Sequence, residues 1–317
     1  MSVSGTAQRS GADPRATSWA EVVRLRTLPA AVAPVILGAG AAAALGTFSP
    51  VRSLLAAGVA LALQIGCNLA NDYSDGVRGA DDERTGPPRL TASGAVAPRT
   101  VKLAAFGCFG VGGLLGLALV ALSGQWWLLA VGAAAIAAAW FYTGGPRPYG
   151  YAGLGEVFVF VFFGLVATAG TAYVQGGTAP GWLWAAAGGV GLIACSLLMV
   201  NNLRDIDTDP AAGKRTLAVR LGAGRARAAF IAMLWAPVAA GAVAIVWAHR
   251  ALGGRGAAWL VALAVVIAAL GAAATRAGGT VLAGATGRAL IPALRDAGLY
   301  ELLYGVALAA ALVLASR

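Results

Sequence analysis

Two short stretches hold most of the acid in this chain. Asp72, Asp75, Asp81, Asp82 and Glu83 form one, and Asp205, Asp207 and Asp209 form the other, together eight of the thirteen Asp and Glu residues. Each stretch is entered through an asparagine. Asp72 lies four residues after Asn68 and Asp75 seven after it; Asn201, Asp205 and Asp209 are spaced by four and four. Positions four and seven apart share one face of a helix, so each stretch predicts a column of oxygen ligands. Carboxylate and amide oxygens, without thiolate or imidazole, suit a hard cation such as Mg²⁺ or Mn²⁺. Two such columns facing each other repel unless a cation sits between them. Arg78, Arg84, Arg89, Lys214 and Arg215 follow just beyond the acids. Acid, metal and base layered in that order match a diphosphate group, whose oxygens are bridged to the carboxylates by metal and held on their outer side by Arg and Lys.

A third region, WFYTGGPRPYGYAGLGEVFVF (140–160), combines turn residues (Gly144, Gly145, Pro146, Pro148, Gly150) with Tyr142, Tyr149 and Tyr151, then Glu156 and Phe158. Tyrosines mark membrane interfaces; they also line sites where an aromatic face stabilises a cation. Glu156 is either an interfacial residue or a partner that orients an arginine.

The elements that must position these residues are membrane helices. The 317 residues are 59% hydrophobic and 11% charged, with a mean hydropathy of +0.76; soluble domains carry about 25% charged residues. That excludes ordinary soluble domains and extended disorder. Cys67, Cys108 and Cys195 fall far apart in apolar runs, which excludes a disulfide scaffold, and His249 stands alone, which leaves zinc chemistry without support. Nine continuous apolar segments, roughly 28–48, 51–72, 101–123, 126–143, 153–175, 182–202, 226–248, 257–274 and 299–315, predict an all-α polytopic membrane protein rather than a barrel of short alternating strands. Residues 1–20 read as a disordered polar arm and 21–317 as one nine-helix domain. Many segments are rich in Ala and Gly, a close-packing signature of membrane helices.

Placing the N-terminus inside puts 19 of the 23 Lys and Arg residues on the inner side and leaves Arg52, Arg250, Arg255 and Arg317 outside. That asymmetry predicts a cytoplasmic N-terminus, an external C-terminus and cytoplasmic loops at 73–100, 203–225 and 275–298. The +10 net charge is thereby read as orientation and diphosphate binding, with no nucleic-acid partner. Both acidic stretches then sit on the cytoplasmic side, each at the end of an apolar helix. They recur four spans apart, which suggests a repeated four-helix unit plus one further helix.

At NLANDYSDGVRGADDERTGPPRL (68–90), YTGGPRPYGYAGLGEVFVFVFFG (142–164), NNLRDIDTDPAAGKRTLAVRLG (201–222) and the opening RLRTLPAAVAP (24–34), the chain resembles the UbiA superfamily of intramembrane prenyltransferases. Within it the chain is most similar to the branch that prenylates 1,4-dihydroxy-2-naphthoate. The resemblance implies a nine-helix UbiA-like bundle in the cell membrane, surrounded by lipid, with Mg²⁺ or Mn²⁺ as cofactor. A polyprenyl diphosphate and 1,4-dihydroxy-2-naphthoate would be its substrates, in menaquinone biosynthesis. It implies metal–diphosphate roles for Asn68, Asp72, Asp75, Asn201, Asp205 and Asp209, with either Asp75 or Asp81 completing the first site, because Gly76 stands where the wider family's regular spacing calls for another acid. Asp72, Asp205 and Tyr142 are the expected catalytic residues, Tyr142 with Phe158 beside a developing allylic cation. Arg26, Arg78, Arg84, Arg89, Lys214, Arg215 and Tyr149 are the expected substrate-binding residues. Two rival readings share these features: the same fold with another aromatic acceptor, and a divalent-cation transporter built on the repeat.

Overall fold

The computed structural model of the chain describes residues 28–80 and 89–317. Among them are nine helices and no strand. In chain order they are α1 (Leu28–Ala44), α2 (Pro50–Val77), α3 (Pro98–Ser123), α4 (Leu128–Phe141), α5 (Gly155–Gly176), α6 (Gly181–Arg204), α7 (Leu217–Leu252), α8 (Ala258–Leu282) and α9 (Ile291–Ala315). Each answers to one apolar run in the sequence. Seven, α2, α3 and α5 to α9, are long and apolar enough to cross a membrane; α1 and α4, at 17 and 14 residues, are shorter. The expectation of nine full spans is therefore met in helix number and, by length, for seven of them.

Local chemistry sets the ends. Ser49 caps α2, its side chain accepting from the Arg52 N–H, and Pro50 follows in the first turn, where its missing N–H costs nothing. Gly124, Gly177 and Gly253 close α3, α5 and α7 in the left-handed conformation. The helices run several residues beyond the apolar windows. Tyr73, Ser74 and Asp75 stay inside α2, and α9 begins at Ile291 instead of near 299. The helix from 217 is broken at Gly222 (φ 77°, ψ 159°), so the span proper begins close to the expected 226.

The most extensive helix pairings are α2 with α3 and α6 with α7. These are the helices that carry the two acidic stretches and their successors, so the pairing recurs after four helices. The main core gathers α1, α6, α7, α8 and α9 around Trp182, Phe230, Tyr300 and Tyr304. A smaller cluster of Leu69, Ala70, Leu90, Val101, Ala105 and Phe109 ties α2 to α3. α5 contains one π-helical turn, Phe160–Val166. There Gly164 meets Gly191 of α6 so closely that a Cβ on Gly164 would stand 2.6 Å from the Gly191 Cα. The wide turn and the two glycines bring α5 hard against α6, which leaves the opposite face of α5 to line a half-open cavity.

Candidate active site

The cavity holds about 940 Å³, at the upper end of the range for small-molecule sites. Its walls come from α1 to α6 and from the start of α9 (Ile291 and Leu294), and its two ends differ chemically. At one end stand Asn68, Asn71, Asp75, Arg89, Thr143, Asn201, Asn202, Arg204, Asp205, Asp209 and Lys214; beyond them the lining is mainly Ala, Gly, Val, Leu, Ile and Phe, with Gln64 and Thr171 among them, reaching Ala56, Val120, Leu128 and Val174. Asp75 and Ala56 lie nineteen residues apart on α2, so at 1.5 Å per residue the cavity follows about 28 Å of helix. That is close to the ~30 Å thickness of bilayer hydrocarbon.

The polar end brings the two acidic stretches together. Asp75 accepts from the Tyr151 hydroxyl at 2.6 Å and from Lys214 Nζ at 3.0 Å, so a residue of the second stretch already neutralises an acid of the first. Asp205 receives a bidentate pair from its neighbour Arg204, at 2.8 and 2.5 Å, with the guanidinium almost wholly buried. Asp209 accepts from Thr216 Oγ1 at 3.4 Å. Asp75 lies in the last turn of α2 and Asp205 caps the C-terminus of α6. Negative charge is disfavoured at that end of a helix dipole, so both acids need the cations they have or a metal in addition. The donor set fits Mg²⁺: it is all carboxylate and amide oxygen, lining one cavity. Among the described residues no three acids form a ready-made cage. That too suits a small ion that keeps waters and is completed by substrate phosphates.

The tyrosine-rich loop forms the wall between the polar end and the apolar length. Tyr149 stacks on Phe158 with ring centroids 3.9 Å apart, and Tyr142 meets Tyr149 edge-on at 5.6 Å. The Tyr149 hydroxyl donates to the Ala138 carbonyl at 2.8 Å, so its ring, not its hydroxyl, serves the cavity. Burial pushes the phenols of Tyr149 and Tyr151 upward, and the charge of Asp75 adds to this at Tyr151. Both are neutral hydroxyls at physiological pH.

Of the residues singled out in the sequence, Asn68, Asp75, Arg89, Tyr142, Tyr149, Asn201, Asp205, Asp209 and Lys214 share this cavity. Asp72 does not line it: its carboxylate accepts backbone N–H groups of Leu90 and Thr91. Arg78 is turned to the Thr143 and Gly145 carbonyls, with its guanidinium over the Tyr151 ring. Arg215 meets the loop through its backbone, donating to the Tyr151 carbonyl. Glu156 accepts from Asn202 instead of orienting an arginine. Arg26, Asp81 and Arg84 lie outside the described residues. Sequence reasoning missed Asn71, which lines the cavity one turn before Asp75 and accepts from Thr143 Oγ1 at 2.8 Å. The spacing Asn71–Asp75 repeats Asn201–Asp205, which was the available signal. Arg204 and Asn202 were likewise missed as site residues, and Tyr151, expected only as part of the aromatic region, lines the cavity with its hydroxyl on Asp75.

Residues 31–279 match the UbiA prenyltransferase family. The chain is 49% identical over 294 residues to the 1,4-dihydroxy-2-naphthoate octaprenyltransferase of Mycobacterium tuberculosis, covering 93% of this chain and 96% of that protein. It is 43% identical to the enzyme of the same name from Escherichia coli over 219 residues, 67% of this chain and 71% of that one. Among solved structures it resembles a UbiA homolog from Archaeoglobus fulgidus bound to DMAPP and Mg²⁺, with a TM-score of 0.66, 15% identity, and coverage of 94% of this chain and 99% of that chain.

Proposed function

The chain belongs to the UbiA prenyltransferase family, and we propose that it transfers a polyprenyl chain to 1,4-dihydroxy-2-naphthoate in menaquinone synthesis. The carbon–oxygen bond of the polyprenyl diphosphate breaks and diphosphate leaves with its electron pair. The acceptor carbon bearing the carboxylate bonds to the allylic carbon, and CO₂ departs, leaving its electrons in the ring to give demethylmenaquinol. The observation that carries this reading is a single cavity that follows about 28 Å of helix, with one end built for a metal-bound anion and a mainly apolar wall behind it. An anionic head on a long hydrocarbon chain fits that shape. The relatives' activity supplies the acceptor.

Asp75, Asp205 and Asp209, with Asn71 and Asn201, would hold Mg²⁺, or Mn²⁺, at the polar end. When bound, the metal offsets the charge of the departing diphosphate. Lys214, Arg204 and Arg89 bind the outer oxygens of that group. Tyr149, Phe158 and Tyr142 present ring faces and a neutral hydroxyl next to the reacting allylic carbon, where an aromatic face stabilises positive charge. The apolar lining excludes water that would otherwise capture the cation.

Purified protein in detergent, given 1,4-dihydroxy-2-naphthoate, a series of polyprenyl diphosphates and Mg²⁺, is expected to form a prenylated naphthoquinol that has lost the mass of CO₂, and to form none with EDTA. A product that retains the carboxyl group, or prenylation of a hydroxybenzoate in preference to the naphthoate, would replace the acceptor. The 19 to 4 split of basic residues supports a cytoplasmic polar end in the cell membrane, with the C-terminus outside. A C-terminal alkaline phosphatase fusion is then expected to be active in intact cells. An inactive phosphatase fusion together with a fluorescent C-terminal GFP fusion would reverse the orientation.

A further inference from the structure

Asp72 is fully buried, yet it is withdrawn from the cavity that Asn71 and Asp75 face. Both its carboxylate oxygens are engaged: Oδ2 accepts the Leu90 N–H at 3.1 Å and Oδ1 the Thr91 N–H at 2.9 Å. One helical turn later, Gly76 leaves room for the same segment. A Cβ there would lie 2.6 Å from the Thr91 Cβ and 3.1 Å from the Ala92 nitrogen. Two positions on one edge of α2 therefore serve one purpose, the docking of residues 90–92. Leu90, 1% exposed, secures the segment from its other side by packing with Leu69, Val101 and Phe109. The residue immediately before this docked segment is Arg89, buried and lining the polar end of the cavity.

We propose that Asp72 and Gly76 are positioning residues that fix the 89–92 segment on α2 and so hold Arg89 in place to bind the diphosphate. This rests on the prenyl diphosphate reading above. A carboxylate accepting two backbone N–H groups is a strong, charge-assisted arrangement that an amide cannot reproduce, since an amide would turn one NH₂ toward an N–H donor. Asp72 then acts through Arg89 and contributes no metal ligand. The proposal also accounts for the glycine at position 76: a side chain there would displace Thr91.

The test compares Asp72→Asn, Gly76→Ala, Arg89→Ala and the double variant Gly76→Ala/Arg89→Ala, each as the full chain in detergent. Binding of geranylgeranyl thiodiphosphate, an unreactive analogue, is measured by calorimetry with excess Mg²⁺, alongside KM, kcat and the Mg²⁺ concentration giving half the maximal rate. Gly76→Ala keeps the helix, because alanine is the better helix former. It is expected to weaken analogue binding about tenfold, the scale of one lost charge-assisted contact. KM should rise in proportion, kcat should change less than about twofold, and the Mg²⁺ midpoint should stay unchanged. Asp72→Asn should follow the same pattern, and the double variant should be no weaker than Arg89→Ala alone. Wild-type binding in Gly76→Ala, or a Mg²⁺ midpoint raised about tenfold in Asp72→Asn, would overturn the proposal. If Asp72→Asn does not fold, Gly76→Ala decides alone, since it removes no oxygen ligand. Absence of analogue binding in the unaltered protein would instead overturn the prenyl diphosphate reading.

Discussion

Asp75→Asn is expected to lower turnover about a thousandfold while the protein still folds. The loss is of the size seen when one preorganised electrostatic group is removed from a dry site. The amide keeps the shape of the carboxylate and still accepts the Tyr151 hydroxyl, which now approaches at 2.6 Å. What disappears is the charge that faces Lys214 at 3.0 Å and, in the proposed mechanism, the metal. Tyr151→Phe is the control: it removes the hydrogen bond and leaves the charge, so its cost should be about tenfold, the scale of one hydrogen bond to a charged group. Asp205→Asn should match Asp75→Asn in turnover and exceed it in lost stability, because the Arg204 guanidinium, with a side chain only 3% exposed, would be left without its bidentate partner. Single-turnover product formation and melting in detergent measure the two effects separately. Wild-type turnover in Asp75→Asn would remove Asp75 from the metal site, and equal losses in Asp75→Asn and Tyr151→Phe would mean that geometry, not charge, is what the site requires.

The helices were legible because each is a continuous apolar run, and a run of that length has few alternatives to a helix in a membrane. Their ends were less so. Tyr73, Ser74 and Asp75 look like loop by polarity, yet they stay helical at the end of α2, where Tyr73 stacks on Trp140 and Asp75 accepts from Tyr151 and Lys214. The register of the first acidic stretch was ambiguous for a related reason. Asn68–Asp72 and Asn71–Asp75 have the same spacing of four, and with 3.6 residues per turn both pairs form columns. Asp72 falls on the edge nearest the 89–92 segment and Asp75 on the cavity face. Choosing between them requires knowing where Thr91 sits, and that is tertiary information. The same holds for Lys214 and Arg215. Both are cationic and adjacent in sequence, but the turn at Gly213 (φ 73°) sends only the Lys214 side chain to the cavity, while Arg215 offers its backbone N–H to Tyr151. The contact of Tyr151 with Asp75 joins residues 76 apart and left no trace in either local pattern.

The apolar length of the cavity carries the second large effect. Gly132 of α4 lines it, and a Cβ built on Gly132 meets no atom within 4 Å. A side chain there would grow into space that the polyprenyl tail is proposed to fill. Gly132 lies ten residues before Tyr142, about 15 Å along the helix axis from the aromatic wall. Gly132→Phe should therefore leave the reacting end of the substrate untouched and obstruct only a tail long enough to reach that depth. Turnover of geranyl diphosphate should stay within about threefold of the unaltered protein, while kcat/KM for octaprenyl diphosphate should fall about a hundredfold, the rate equivalent of the ~3 kcal/mol that overpacking costs. Competition among diphosphates of increasing length, read by mass spectrometry of the products, gives the length at which the penalty begins. A penalty beginning at the length that spans about 15 Å would place the tail along α4. Equal turnover at every length would mean that the tail leaves between helices before reaching Gly132, and the apolar depth of the cavity would then have to serve something other than the prenyl chain.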